Sequence, residues 1–346
     1  MTEGVWLDAG PVARVAALTV TYGARHHLCI PTVRAALAAG ADHVYVVLNG
    51  AAEVSRKAIQ GEFGAGSNVS LIHLATNRGS AGGFAEGLRS VPLQSVGSVW
   101  LLDDDNECAT TALAELLAQR ARLVAAGECD DPAMLSHRKG NVLQERAIQT
   151  RSAPVVYPPS GSFLSMDLFH RLSTAKSIAS STSEHDAGSP IEVPYGPYGG
   201  LLLSAESISE IGFPDEELTL YEDDTEYTAR LSANGHRVFL CPGSTIEDID
   251  GKWSGSDSAL TGPQKMLAAQ DSTRRYYAVR NRVRFDTVRA LKEGRQVRYR
   301  VNRLIYMAYL LGSATRMGRL SAYREVRLAA KHGLRGQLDL GPELAL

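Results

Sequence analysis

The chain has 346 residues, 44% of them hydrophobic and 21% charged, with a formal net charge of −2. This is ordinary globular composition, enough for one large domain with an appendage or for two domains, and it sets up no global field toward nucleic acid or a membrane. The four cysteines, Cys29, Cys108, Cys129 and Cys241, have no paired spacing, which argues against a disulfide framework or a zinc site and for a reducing, cytoplasmic compartment. No basic region followed by an apolar stretch opens the sequence, so no signal peptide is expected. The most lipid-like run, Leu304 to Leu311, is too short to span a bilayer.

Val15 to Val20 predicts a buried first strand ending in a turn at Thr21-Tyr22-Gly23. Leu28 to Ala39 predicts a helix closed by Gly40, and Val44 to Leu48 a second buried strand ending at Asn49-Gly50. Strand, helix and strand in this order predict a sheet that is parallel at its start. Ser55 to Gln60 reads as a short helix and Val69 to Leu74 as a third strand. Asn77 to Leu88 is a glycine-rich turn feeding a helix. Its spacing matches neither a Walker A loop nor the dinucleotide fingerprint. Close approach by a ligand and a plain helix-start turn both fit it.

The stretch Val99-Trp100-Leu101-Leu102-Asp103-Asp104-Asp105 runs four apolar residues into three carboxylates. The apolar part reads as a buried strand, which puts the acids past its carboxyl end, the edge where open α/β sheets bind ligands. Residues two apart in an extended segment face the same way, so Asp103 and Asp105 can converge on a hard divalent cation. The bland alternative is a solvated acidic turn.

Residues 110–126 predict a packing helix, 130–151 a strand and loops without visible chemistry, and Val155 to Phe163 a strand and turn. Residues 173–190, rich in Ser, Thr, Gly and Asp, read as a flexible insertion. The pair Gly199-Gly200 before Leu201 to Leu203 suggests close approach by a ligand or another backbone. Ser204 caps a short helix stopped by Gly212. A second acidic cluster, Glu222, Asp223, Asp224 and Glu226, opens a helix closed by Asn234-Gly235. Acids in a first helical turn are also ordinary dipole partners. Val238 to Cys241 predicts a strand ended by Pro242-Gly243, followed by a third polar cluster, Glu247, Asp248 and Asp250. Tyr276 to Arg282 reads as a helix packing back on the domain. The remainder to about Lys331 is helical and basic around an apolar centre. It reads as a packing or homo-oligomer helix, or as one lying on a membrane surface.

The order of these motifs resembles the inverting glycosyltransferases of family 2. The matching parts are Thr21-Tyr22, Asn49-Gly50, the turn from Asn77, the Leu-Leu-Asp-Asp-Asp run, Gly199 to Leu203, Asp223-Asp224-Thr225-Glu226 and the Tyr-Tyr-x-Val-Arg-Asn segment at 276–281. The Asp triplet, the Asp-Asp-Thr-Glu-Tyr helix start and Gly-Leu-Arg-Gly at 333–336 make it most similar to the galactofuranosyl- and rhamnosyltransferase branch. The resemblance implies an α/β, GT-A nucleotide-diphospho-sugar transferase fold, with a mixed, mainly parallel sheet flanked by helices. It implies a catalytic domain over 1–255 and a basic helical extension over 256–346. It implies transfer of galactofuranose, rhamnose or a similar sugar from a UDP- or dTDP-sugar to a glycan or lipid-linked hydroxyl, with no nucleic-acid partner. The setting is cytoplasmic, with peripheral contact on the inner face of the membrane as one reading of the basic helices.

On this resemblance Thr19, Thr21, Tyr22, Asn49, Asn77, Gly79, Gly82, Gly83, Asp103 and Asp104 border the nucleotide sugar. Asp103 and Asp105 bind Mg²⁺ or Mn²⁺, with Asp248 at the place where the family often has a metal-binding His. Asp224 is the base, with Asp223 competing for the role. Gly199, Gly200 and Trp253 lie on the acceptor side. Two other functions fit the same architecture. One is nucleotidyl transfer making a nucleotide sugar, for which the loop after the first strand is a poor match. The other is a non-catalytic binding subunit, for which the Asp at 248 is the only support.

Overall fold

The computed structural model describes residues 14–64, 66–170, 188–250 and 261–342. Trp253 and nearly all of the 173–190 insertion lie outside the described residues.

The described residues from 15 to 248 fold into one mixed sheet with helices on both faces. Its strands are β1 (Val15–Gly23), β2 (His43–Ala51), β3 (Val69–Leu74), β4 (Ser98–Asp103), β5 (Asn106–Cys108), β6 (Ala133–Arg138), β7 (Ile191–Val193), β8 (Leu201–Ser204) and β9 (Val238–Asp248). The spatial order is β3-β2-β1-β4-β8-β6-β9-β5, with β7 beside β9. β3, β2, β1 and β4 are mutually parallel, β8 runs antiparallel between β4 and β6, and β6 pairs parallel with β9. The carboxyl ends of β1, β2, β4, β6 and β9 therefore share one edge, and the amino end of β8 joins them there. That edge carries Tyr22, Asn49, Asp103, Arg138, Gly200 and Asp248.

Burial on both faces explains the unbroken apolar strands. Ala16, Leu18, Val99 and Leu101 point into one core, which includes Phe84 and Leu88 of α3 (Gly79–Ser90) and Tyr227 and Leu231 of α8 (Asp223–Ala233). Val15, Ala17, Trp100 and Leu102 point into the other, closed by α1 (His26–Ala38), α2 (Glu53–Glu62) and α4 (Ala112–Ala125). The smaller helices are α5 (Val142–Thr150), α6 (Ala153–Val156) and α7 (Ala205–Ile211). The chain ends in α9 (Gly262–Ala268), α10 (Ser272–Lys292), α11 (Gln296–Met317) and α12 (Leu320–Arg335), whose own core gathers Phe163, Val283, Tyr306, Leu310 and Val326. Phe285 of α10 reaches into the first sheet core. Among the described residues no helix is long and apolar enough to cross a membrane.

Two local expectations are corrected. Val155-Val156 belongs to the short helix α6, because Pro154 sits in its first turn, where a missing N–H costs nothing. Pro242-Gly243 does not end the last strand. The register jumps from Ser136↔Cys241 to His137↔Thr245, so a bulge absorbs the pair and β9 continues to Asp248.

Candidate functional site

The acids of the shared edge are neutralised largely by two arginines that the sequence reading passed over. Arg25, just beyond β1, grips Asp104 with Nε at 2.9 Å and Nη2 at 2.8 Å. It also reaches Asp105 at 3.2 Å and Asp250 at 2.9 Å. Arg138, the last residue of β6, donates Nη1 to Asp103 Oδ2 at 2.7 Å and Nε to Asp248 Oδ1 at 2.7 Å. Asn106 Nδ2 holds the same Asp248 oxygen at 2.9 Å, while Asn106 Oδ1 accepts from the Asp103 amide. Each arginine ends or closely follows a core strand on the ligand-binding edge. That position was visible in the sequence as the first arginine after Val15 to Val20 and after Ala133 to Leu135.

Several predicted ligand contacts turn inward instead. Thr19, Thr21 and Asn49 are buried, and so is Asp104. Asp104 spends both oxygens on Arg25 and the Thr21 hydroxyl. Asn49 ties down the glycine-rich turn, donating to Gly79 O at 2.8 Å and accepting from the Arg78 amide at 2.8 Å. Asn77 caps the Gly79 amide at 3.0 Å and remains partly exposed. Gly79 has φ +74°, and a Cβ there would meet Thr219 O at 1.9 Å, so this glycine serves the fit of two loops. Gly82 and Gly83 lie buried in α3, Gly83 against Val20 and Asn49. Tyr22 stays partly exposed beneath the Arg25 guanidinium, 5.3 Å from ring centroid to Cζ.

Gly199 faces the acids directly. A Cβ there would sit 2.4 Å from Asn106 Oδ1 and 3.0 Å from Asp103 Oδ2. Gly200, at φ +86°, lies against Ser136. The close approach read from this pair is therefore made by the protein's own side chains.

Asp223 and Asp224 open α8. Asp223 is buried and accepts from Ser80 Oγ at 3.0 Å, while its Oδ2 has no partner among the described residues. Burial is the main reason its carboxyl is pushed up to about 7, with the Asp103 charge adding to it. Asp224 is half-buried and holds the Thr225 amide with Oδ1 at 2.6 Å. Burial first, then Asp223 and Glu222, push its carboxyl well above the usual range. A helix start alone would keep such a carboxylate ionised; here desolvation and like charge outweigh that. Asn49 at the sheet edge holds Gly79, and the next residue, Ser80, holds Asp223, so the helix-start acids lie at the same edge as Asp103, whose charge adds to the rise of both.

The metal assignment can be tested against this geometry. Burial, followed by Asp103, Asp104 and Asp248, pushes the Asp105 carboxyl up to about 6. That excess of negative charge on hard oxygen donors suits a divalent cation. Asp103 uses only Oδ2 among the described residues. Asp248, in contrast, is occupied by Arg138 and Asn106. Among the described residues no three His, Cys, Asp or Glu side chains are grouped to hold a metal ion. A hold by Asp103 and Asp105 would use Asp103 Oδ1, unpartnered among the described residues, and would compete with Arg25 and Asn106 for Asp105.

Arg25→Met leaves Asp104 buried without its cation, a loss that typically costs about 3–5 kcal/mol. The Asp104 carboxyl already lies above its ordinary value through burial, and Arg25 opposes that rise. Without Arg25 it rises further, so the cost is largest at neutral pH and shrinks as the pH falls and Asp104 takes up a proton. Chemical denaturation at several pH values checks this; a deficit that does not depend on pH contradicts it.

No family model matches the chain. Over 240 residues it is 28% identical to galactofuranosyltransferase GlfT1 of Mycobacterium tuberculosis, in both the CDC 1551 / Oshkosh and the ATCC 25618 / H37Rv strains. The match covers 64% of this chain and 66% of the relative, just under two thirds of its length. Among solved structures it is similar to the mannosyltransferase PcManGT of Pyrobaculum calidifontis in complex with GDP-Man and Mn²⁺. That likeness has a TM-score of 0.52 and 14% identity, over 96% of this chain and 84% of that one. It is also similar to GalNAc-T7 with UDP, GalNAc and Mn²⁺, with a TM-score of 0.50 and 12% identity, over 80% of this chain and 48% of that one. The two structures share the fold and the mycobacterial relative shares part of the sequence, so the chain has a GT-A-like glycosyltransferase fold and is similar to the family 2 glycosyltransferases.

Proposed function

We propose that this protein transfers a glycosyl group, galactofuranose, rhamnose or a similar sugar, from a nucleoside-diphosphate sugar to a hydroxyl of a glycan or lipid-linked acceptor, with inversion. The observation that carries the proposal is the placing of two separate acid groups at one sheet edge. Asp103 ends the central strand with Asp105 just past it, and Asp224 opens a helix whose start is tied to that edge through Ser80 and Asn49. A metal-bound carboxylate has little basicity left, so transfer needs such a division.

Asp224 takes the base role because it is partly exposed, whereas Asp223 is buried on Ser80. The acceptor hydroxyl gives its proton to Asp224 as its oxygen bonds to the anomeric carbon. The bond from that carbon to the diphosphate breaks, and the electron pair leaves with the nucleoside diphosphate. Asp223 makes Asp224 the stronger base by placing a like charge beside it. Tyr22 and Asn77, both partly exposed, border the nucleotide. Asp103 and Asp105 would hold Mg²⁺ or Mn²⁺, which neutralises charge on a leaving diphosphate. Arg138 keeps Asp248 out of that role.

The basic helices supply a place for a lipid-linked acceptor. Val297 and Leu304 of α11 are each 74% exposed, with Val301, Ala308 and Leu311 continuing the same exposed face at helical spacing. From Gly294 to Arg324 the chain has many arginines and no acid. An apolar face with arginine flanks suits an anionic membrane surface, whereas two copies of it would set arginine against arginine.

Asp224→Asn should lower turnover by roughly a hundred- to ten-thousand-fold while nucleoside-diphosphate binding stays the same. Asp223→Asn removes the like charge, lowers the Asp224 pKa, and so moves the acidic limb of the pH–rate profile to lower pH. Normal turnover in Asp224→Asn would remove the base assignment. Transfer should release nucleoside diphosphate and should stop in excess chelator and in Asp103→Ala or Asp105→Ala. Release of pyrophosphate would instead indicate nucleotidyl transfer. The protein should sediment with vesicles containing anionic phospholipid at low salt, and Leu304→Glu should abolish this; no sedimentation would leave α11 a packing helix.

A further inference from the structure

The acids at the start of α8 are reached through a strained loop. Thr219, Tyr221 and Glu222 have φ of 65°, 64° and 62°, the left-handed region that residues with side chains avoid. Such residues persist only where their surroundings over-determine them, and they gather at functional sites.

Three consecutive residues of α10 provide that constraint. Arg280 Nη2 donates to Glu217 O and Leu218 O, each at 3.0 Å. Asn281 Nδ2 donates to Leu218 O at 2.7 Å, Leu220 O at 2.9 Å and Tyr221 O at 2.8 Å. Arg282 reaches the Glu222 carboxylate at 3.2 Å and is itself held by Asp286 at 3.0 Å. Arg280 and Asn281 are essentially inaccessible to solvent. Arg280 Nε donates to Asn281 Oδ1 at 2.8 Å, which fixes the amide with its nitrogen toward the loop. On the loop's far side Thr219 O accepts from the Ala81 amide at 3.2 Å, and Ser80 holds Asp223. The loop is thus clamped between the helix that follows the glycine-rich turn and the C-terminal helical unit.

We propose that Asn281 is a positioning residue for transfer, one that sets the direction of Asp224 through the main chain of residues 218–221. This rests on the reading of Asp224 as the base. The side chain is inaccessible to solvent and bonds to Arg280 and to the loop carbonyls. Its one amide group collects three carbonyl oxygens at the point where the backbone turns left-handed. Losing it lets the loop relax toward ordinary φ and carries the start of α8 with it.

The test is a double-mutant cycle of Asn281→Ala and Asp224→Asn in the full chain, with Thr219→Gly added to the first. Asn281→Ala should lower kcat by about thirtyfold or more while nucleoside-diphosphate affinity changes less than about twofold. In the Asp224→Asn background the same substitution should change turnover little, because the group it positions has gone. Thr219→Gly, which adopts a positive φ freely, should restore part of the turnover lost in Asn281→Ala. Additive losses, or a parallel loss of donor affinity, would show Asn281 to be a fold brace only and overturn the proposal. Full turnover in Asp224→Asn alone would overturn the base assignment itself. Should the alanine chain not fold, Asn281→Ser, which keeps one donor, enters the cycle in its place with the same expectations.

Discussion

Negative charge collected on one sheet edge is the constraint that shapes this molecule. Strands that run parallel end together, so the acids that follow β4 and those that close β9 arrive at the same place. Asp103, Asp104, Asp105, Asp248 and Asp250 cannot share a half-buried edge without cations. Arg25 and Arg138 meet them from two different crossovers and leave an excess of negative charge. Asn106 and the missing side chain of Gly199 complete the packing around Arg138. The acidic edge is therefore neutralised largely by the protein's own arginines.

The sheet was legible because its strands are buried on both faces, and a short apolar run bounded by turns signals that directly. The positions of both acid groups were legible for the same reason, since they follow the runs. What the acids bind was not. Asp103 and Arg138 are 35 residues apart and Arg25 and Asp104 are 79 apart, and no local pattern encodes such pairs. Thr19, Thr21 and Asn49 were assigned to a ligand by the resemblance to the glycosyltransferase family. In a strand covered on both sides, however, a polar residue can equally serve the interior, as Thr21 does for Asp104 and Asn49 for the turn at Gly79. Periodicity carries no information about which of these occurs.

The helices after residue 261 are tied to the sheet domain by more than contact area. Phe285 enters the first sheet core, and Phe163 from the sheet half enters theirs. Arg298 pairs with Asp167 at 2.6 Å, and Asn302 holds Gly161 O at 2.9 Å. Composition changes near residue 274, from mixed charge to arginine-rich. The packing runs across that change, and the loop before Asp223 and Asp224 is braced from beyond it.

Arg280 also takes the carbonyl oxygens of Leu338 and Leu340, at 2.7 and 2.8 Å, so one guanidinium joins the loop before α8 to the segment after α12. Every one of these bonds ends on main chain. A carbonyl oxygen is the same whichever residue bears it, so the guanidinium and its neighbouring amide recognise the course of the backbone and are blind to side-chain identity. The loop and the closing segment are free to drift in sequence so long as their paths are kept, whereas the residues that read them are not. In distant relatives, the Arg-Asn pair should outlast any resemblance in the segments it holds.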